Sequence, residues 1–64
     1  MVKINGEDVA AQGRTLADYL AQEGYAPTRI AVECNGQIVP KAEYAAKVLA
    51  DGDVLEVVSF VGGG

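Results

Sequence analysis

The sequence predicts an α+β fold in which one main helix packs on one face of a mixed sheet of four to five strands. Two Asn-Gly pairs, at residues 5–6 and 35–36, each stand between short apolar segments, which is the pattern of a tight β-hairpin. Between them, residues 15–24 carry the start and stop signals of a single short helix. A helix and a small sheet bury their apolar sides by packing as two layers.

The first two strands form the first hairpin. Val2 and Ile4 alternate with polar residues, and Asn5-Gly6 supplies two residues that tolerate positive φ. We therefore expect an opening strand, a tight turn, and a second strand over residues 9–11.

The helix is expected to begin after Thr15 and to span about two turns. Thr15 and Asp18 have the spacing of a capping box, in which each side chain accepts a hydrogen bond from a free N–H of the first turn. Gly24 stands where a left-handed C-terminal cap forms, and Pro27 prevents continuation. The apolar face of the helix carries Leu16 and Leu20.

The second hairpin is predicted from strands at residues 30–34 and 37–39, with Pro40 ending its second arm. Residues 41–50 are compatible with a helical turn around Tyr44 followed by a loop, and the pattern leaves this segment open. An Asp-Gly-Asp turn then leads into a last strand over residues 54–60.

This order of elements is that of the β-grasp, or ubiquitin-like, fold. We expect the β-grasp domain to occupy residues 1–60, followed by a flexible glycine tail at residues 61–64. The predicted core consists of Val2, Ile4, Leu16, Leu20, Val32, Cys34, Ile38, Leu49, Leu55 and Val57.

Composition excludes several classes of function. Nine acidic and five basic residues give a net charge of -4, which opposes binding to nucleic acid. There is no histidine and one cysteine, Cys34, so the sequence lacks ligands for a transition-metal site and cannot form an internal disulfide. Because no glycine-rich phosphate loop, secretory signal or spanning segment is recognisable, we expect a cytoplasmic protein that binds neither ATP nor metal by itself.

Parity along the last strand predicts a docking patch. If Leu55 and Val57 point at the helix, the residues that alternate with them point to the uncovered face of the sheet. Apolar side chains on such a face indicate partner docking, although ordinary exposed apolar area is the plainer alternative. The docking patch consists of Glu33, Glu56, Val58 and Phe60.

Three consecutive glycines, Gly62, Gly63 and Gly64, form the second functional signal. They have no side chains to pack, and they fit a slot too narrow for a Cβ. A terminal carboxylate at Gly64 would be ionised at neutral pH and would become an electrophile on conversion to an acyl adenylate. The alternatives are a frayed terminus or a cloning scar.

Several motifs resemble the ThiS family of thiamine-biosynthesis sulfur carriers. They are residues 35–41 (NGQIVPK), Tyr44, residues 51–53 (DGD) and residues 57–64 (VVSFVGGG), so the resemblance covers the whole chain. The sequence departs from the family pattern at Lys41, where we expect arginine, whose hydrogen-bond geometry differs.

The resemblance implies a carrier rather than an enzyme. It implies adenylation of Gly64 by a ThiF-type adenylyltransferase that uses ATP and Mg²⁺, and formation of a thiocarboxylate with a sulfur donor protein. It also implies delivery of sulfur to a ThiG-type thiazole synthase, with Gly62, Gly63 and Gly64 entering the partner's active site. Two alternatives stay open, a MoaD-like subunit of molybdopterin synthase and a β-grasp interaction module or protein modifier.

Overall fold

The computed structural model describes residues 1–60, which form a two-layer α+β domain. Its elements are β1 (Val2–Ile4), β2 (Glu7–Val9), α1 (Leu16–Gln22), the 3₁₀ turn η1 (Pro27–Arg29), β3 (Ile30–Cys34), β4 (Gln37–Ile38), the 3₁₀ turn η2 (Lys41–Glu43) and β5 (Val54–Ser59).

The five strands form one mixed sheet in the order β2-β1-β5-β3-β4. The β1 and β5 strands are parallel, and the other neighbours are antiparallel. The helix packs its buried side chains into the same apolar cluster as alternate residues of β1, β3 and β5. This arrangement confirms the predicted β-grasp fold, with the last strand at the centre of the sheet.

Both Asn-Gly pairs form the predicted tight turns. Asn5 and Asn35 have φ values of 52° and 54°, and each is followed by a glycine at 84°, as in type I′ turns. The second strand was predicted at residues 9–11, and this is wrong. Because a two-residue turn pairs Ile4 directly with Glu7, β2 begins at Glu7 instead.

The helix begins and ends as predicted, but only half of the predicted capping box forms. The N–H of Asp18 donates to Oγ1 of Thr15 at 3.1 Å, whereas the carboxylate of Asp18 pairs with the Arg14 guanidinium at 2.8 Å. Aspartate is shorter than the glutamate of a full capping box, and a nearby cation competes for it. At the other end, Gly24 has a φ of 82° as the left-handed cap.

The predicted core is confirmed at every position except Ile38. The prediction for Ile38 is wrong, because this side chain is 67% exposed whereas its neighbour Val39 is 8% exposed. Ile38 lies opposite exposed Glu33 in the antiparallel register, and directly opposed residues share a face. The core gains five residues that were not predicted: Ala11, Tyr19, Ile30, Val39 and Tyr44.

The segment that the pattern left open, residues 41–50, starts with η2 and supports the start of the helix. Free N–H groups of the first helical turn donate to this segment: Leu16 N to Lys47 O at 2.7 Å, and Ala17 N to Tyr44 O at 2.9 Å. The Tyr44 side chain is buried. The segment therefore closes the end of the core as a folded part of the domain.

The predicted glycine tail, residues 61–64, lies outside the described residues. Within residues 1–60, no helix has the length and apolar character required to cross a bilayer.

Candidate functional site

The candidate site is the sheet face opposite α1, called the open face below. Burial alternates along β5, where Leu55 and Val57 are buried and the residues on either side of each are exposed. Glu33, Glu56 and Val58 are exposed and alternate with buried strand residues, so they lie on this face. Phe60 is exposed and follows the end of β5. The structure thus brings the predicted patch together, and the docking role itself stays a prediction.

Two glutamates of the docking patch lie side by side. Glu33 of β3 and Glu56 of β5 are directly opposite in the antiparallel register. Neither carboxylate forms a salt bridge with a cation of residues 1–60. Like charges in directly opposed positions destabilise a sheet. A cation placed between the two side chains would reduce any such repulsion.

Apolar side chains surround this pair. Val58, two residues beyond Glu56, is 56% exposed, and Phe60 is 53% exposed. Ile38 extends the apolar area across β4, since it lies opposite Glu33 and is exposed. Sequence reasoning placed Ile38 in the core, although the two-residue turn at Asn35-Gly36 fixes the register that places it outside.

Two asparagine side chains complete the hydrogen bonds of β5. Val57 N donates to Oδ1 of Asn5 at 2.8 Å, and the Asn5 amide donates to Val57 O at 3.3 Å. Val54 N likewise donates to Oδ1 of Asn35 at 3.0 Å. The turn residues of both hairpins therefore hold the central strand, which keeps the side chains of the open face in a fixed arrangement.

Residues of η1 and η2 contact the C-terminal end of the open face. Phe60 N donates to Arg29 O at 2.7 Å. Lys41 Nζ donates to Ile30 O at 3.0 Å and lies 5.9 Å from the centroid of the Phe60 ring. Lys41, which was noted in the sequence as a departure from the family pattern, is thus a structural neighbour of the docking patch.

Titratable groups with altered pKa values lie away from the docking patch. Burial raises the pKa of Tyr19 above 10.0, with the charges of Glu23 and neighbouring groups adding to the effect. Burial also raises the pKa of Tyr44. The backbone N–H of Ala50 and then the Asn35 amide lower the pKa of Asp53 below 3.8. None of these three groups belongs to the docking patch.

The described residues contain no enclosed site for a small molecule. No pocket is present in the domain, and within residues 1–60 no group of three His, Cys, Asp or Glu side chains is placed to bind a metal ion. Cys34 is a free, buried thiol that packs in the core, as the alternation of side chains along its strand predicted.

The mixed five-stranded sheet and its single helix define a β-grasp protein with an apolar and acidic open face. A solved structure of the thiamine biosynthesis protein ThiS from Geobacter metallireducens is similar, with a TM-score of 0.75 and 27% identity over 98% of this chain and 97% of that chain. The ThiS family matches residues 1–64, and the chain belongs to this family. Membership confirms the resemblance seen in the sequence.

Two curated relatives differ in length. The sulfur carrier protein ThiS of Bacillus subtilis is 39% identical over 66 residues, and the match covers 100% of both chains. A thiazole synthase of Magnetococcus marinus is 44% identical over 64 residues, which are 98% of this chain and 20% of that protein. This chain therefore spans about a fifth of the length of the thiazole synthases that it matches.

Proposed function

We propose that this chain is a sulfur carrier for formation of the thiazole of thiamine, and that Gly64 carries the sulfur as a thiocarboxylate. The observation that carries this proposal is the end-to-end match to a sulfur carrier protein of the ThiS family. The three consecutive glycines at residues 62–64 fit the chemistry, because they leave the terminal carbonyl without steric hindrance.

The proposed loading has two steps. A carboxylate oxygen of Gly64 attacks the α-phosphate of ATP, and pyrophosphate leaves. Hydrosulfide, HS⁻, delivered by a sulfur donor protein then attacks the acyl carbon, AMP leaves with the bridging oxygen, and the S–H proton passes to solvent. Activation is required because a carboxylate that is ionised at neutral pH resists attack by a nucleophile. In this proposal a ThiF-type adenylyltransferase binds ATP and Mg²⁺ and catalyses the first step.

A thiazole synthase of the ThiG type is the proposed acceptor of the sulfur. The support is that thiazole synthases of about five times this length contain a segment that is 44% identical to the chain. A carrier-like segment within the same polypeptide as a thiazole synthase indicates that the two parts act together. In this proposal, Gly62, Gly63 and Gly64 enter the active site of each partner in turn.

The docking patch is the proposed contact surface for these partners. Val58 and Phe60 supply apolar area next to the last described residues of the chain. Glu33 and Glu56 lie directly opposite each other, and neither forms a salt bridge within residues 1–60. We therefore expect the partners to present apolar side chains together with arginine or lysine, and charges of opposite sign accelerate such encounters.

The proposal is tested by intact-mass measurement after incubation with the activating enzyme, ATP, Mg²⁺ and a sulfide donor. The expected gain equals the mass of sulfur minus that of oxygen, and it is absent without ATP. An unchanged mass with an enzyme that loads a known carrier in the same buffer would contradict the carrier function. A lysine-linked conjugate in place of the mass gain would identify a protein modifier.

A further inference from the structure

Lys41, in η2, contacts both the start of β3 and the residue that follows β5. Its ammonium donates to the carbonyl oxygen of Ile30 at 3.0 Å and lies 5.9 Å from the centroid of the Phe60 ring. The backbone N–H of Phe60 donates to Arg29 O at 2.7 Å. Phe60 is therefore held by its backbone through Arg29 and by its ring through Lys41.

The hydrogen bond of Lys41 replaces one that β4 does not make. The register that pairs Glu33 with Ile38, continued by three residues, would bring Lys41 opposite Ile30. The chain turns into η2 after Pro40, so β4 ends before Lys41 can pair through its backbone. The side chain of Lys41 returns to the carbonyl that an extended β4 would have paired, which satisfies the edge of β3.

The Phe60 side chain lies outside the buried core and is 53% exposed. A cation within about 6 Å of an aromatic centroid is attracted to the face of the ring, so Lys41 restricts the orientations that the ring adopts. The hydrogen bond to Ile30 in turn fixes the ammonium.

We propose that Lys41 is a positioning residue, which fixes Phe60, the last described residue before the glycine segment. This inference rests on the proposed function, because a fixed Phe60 affects loading only if Gly64 must reach a partner's active site. Catalysis that depends on placing a reacting group loses rate when the placement loosens. Lys41 thus acts through Phe60 and does not touch the reacting atoms.

The test compares Lys41→Met with Lys41→Arg in ATP-dependent loading by the activating enzyme, with carrier concentration varied. K41M keeps an unbranched apolar stem but removes the donor and the cation, whereas K41R keeps both. We expect kcat to fall roughly tenfold in K41M at a KM within about twofold of the wild type. K41R should retain kcat within about threefold.

Amide hydrogen exchange supplies a readout that needs no partner. In K41M the backbone N–H of Phe60 should exchange faster. The backbone N–H of Asn35, which donates to Val54 O at the other end of the β3–β5 pair, should exchange at the wild-type rate. Both amides should exchange at the wild-type rate in K41R. A melting temperature unchanged in K41M would show that the loss of kcat is not a loss of fold.

Two kinetic results would overturn the positioning role. One is an unchanged kcat in K41M, and the other is a raised KM at unchanged kcat, which would show that Lys41 contributes to docking, directly or through the Phe60 ring, and does not help to place Gly64. If the wild type itself is not loaded, the proposed function fails and exchange decides alone. Equal Phe60 exchange in K41M and the wild type would then overturn the positioning role.

Discussion

Asp53 is the residue whose carboxylate is most firmly held in the turn before β5. It accepts from the N–H of Ala50 at 2.9 Å and from the amide of Asn35 at 3.1 Å. These bonds favour the charged form, which is why the pKa of Asp53 is lowered. The same carboxylate thus joins the second hairpin to the start of the central strand.

The lowered pKa of Asp53 predicts a loss of stability in acid. A carboxyl whose pKa is lower in the folded than in the unfolded state stabilises the fold above the unfolded value of 3.8, and this stability is lost as pH falls through the folded value. Asp53→Asn retains one of the two acceptor oxygens, so we expect the free energy of unfolding at pH 7 to fall by about 1 kcal/mol. Urea unfolding at pH 7 and pH 3 should show a smaller pH dependence in D53N than in the wild type.

A matched control separates this effect from the general loss of negative charge. Glu43→Gln also removes one carboxylate, yet the Glu43 side chain makes no salt bridge or hydrogen bond within residues 1–60. E43Q should keep the wild-type dependence on pH. Equal behaviour of D53N and E43Q would show that the hydrogen bonds of Asp53 do not control acid stability.

At the scale of elements, local signals account for what could be predicted from the sequence. The two Asn-Gly turns and the Gly24 cap depend on positive φ, which few residues adopt, so the hairpins and the helix were predictable. The segment at residues 41–50 was not, because its conformation depends on hydrogen bonds to Leu16 and Ala17, which are distant in the sequence. The parallel pairing of β1 with β5 is likewise decided by packing.

The buried and exposed sides of the edge strand β4 were predicted the wrong way round, which left Ile38 out of the open face. A strand of two residues has too little alternation to reveal its buried face, so Ile38 was predicted in the core. The turn length, read together with the burial of Cys34, would have placed Val39 inside instead. The docking patch was predictable because β5 is long enough to show its alternation, whereas the contacts of Lys41 depend on where β4 ends.

The two neighbours Ile38 and Val39 offer a test of the open face. Ile38→Asp should change the free energy of unfolding by about 0.5 kcal/mol or less, because the side chain is exposed. Val39→Asp should cost roughly 3 kcal/mol or more, because it places a carboxylate in the core. Urea unfolding measures both, and calorimetry with the activating enzyme should show weaker binding by I38D. Unaltered affinity in I38D would restrict the docking surface to β5 and β3.

At the scale of the whole molecule, stability and the proposed chemistry involve different parts of the chain. The buried residues of the described domain lie between Val2 and Val57. The docking patch is exposed, and the proposed loading site, Gly64, follows it in the sequence. A net charge of -4 makes approach to a basic surface electrostatically favourable and approach to a polyanion unfavourable. Folding, docking and loading should therefore respond separately to substitution.

Deletion of Gly64 and the substitution Phe60→Asp together test this separation. The deletion should abolish the mass gain on loading while leaving the melting temperature and partner affinity near the wild-type values.

F60D should weaken partner binding roughly tenfold, because an exposed aromatic anchor is replaced by a charge, and should leave the melting temperature nearly unchanged. Calorimetric melting, titration calorimetry and intact mass measure the three properties. A large fall in melting temperature on deleting Gly64 would show that the glycines stabilise the fold, and an unaltered affinity of F60D would remove Phe60 from the docking patch.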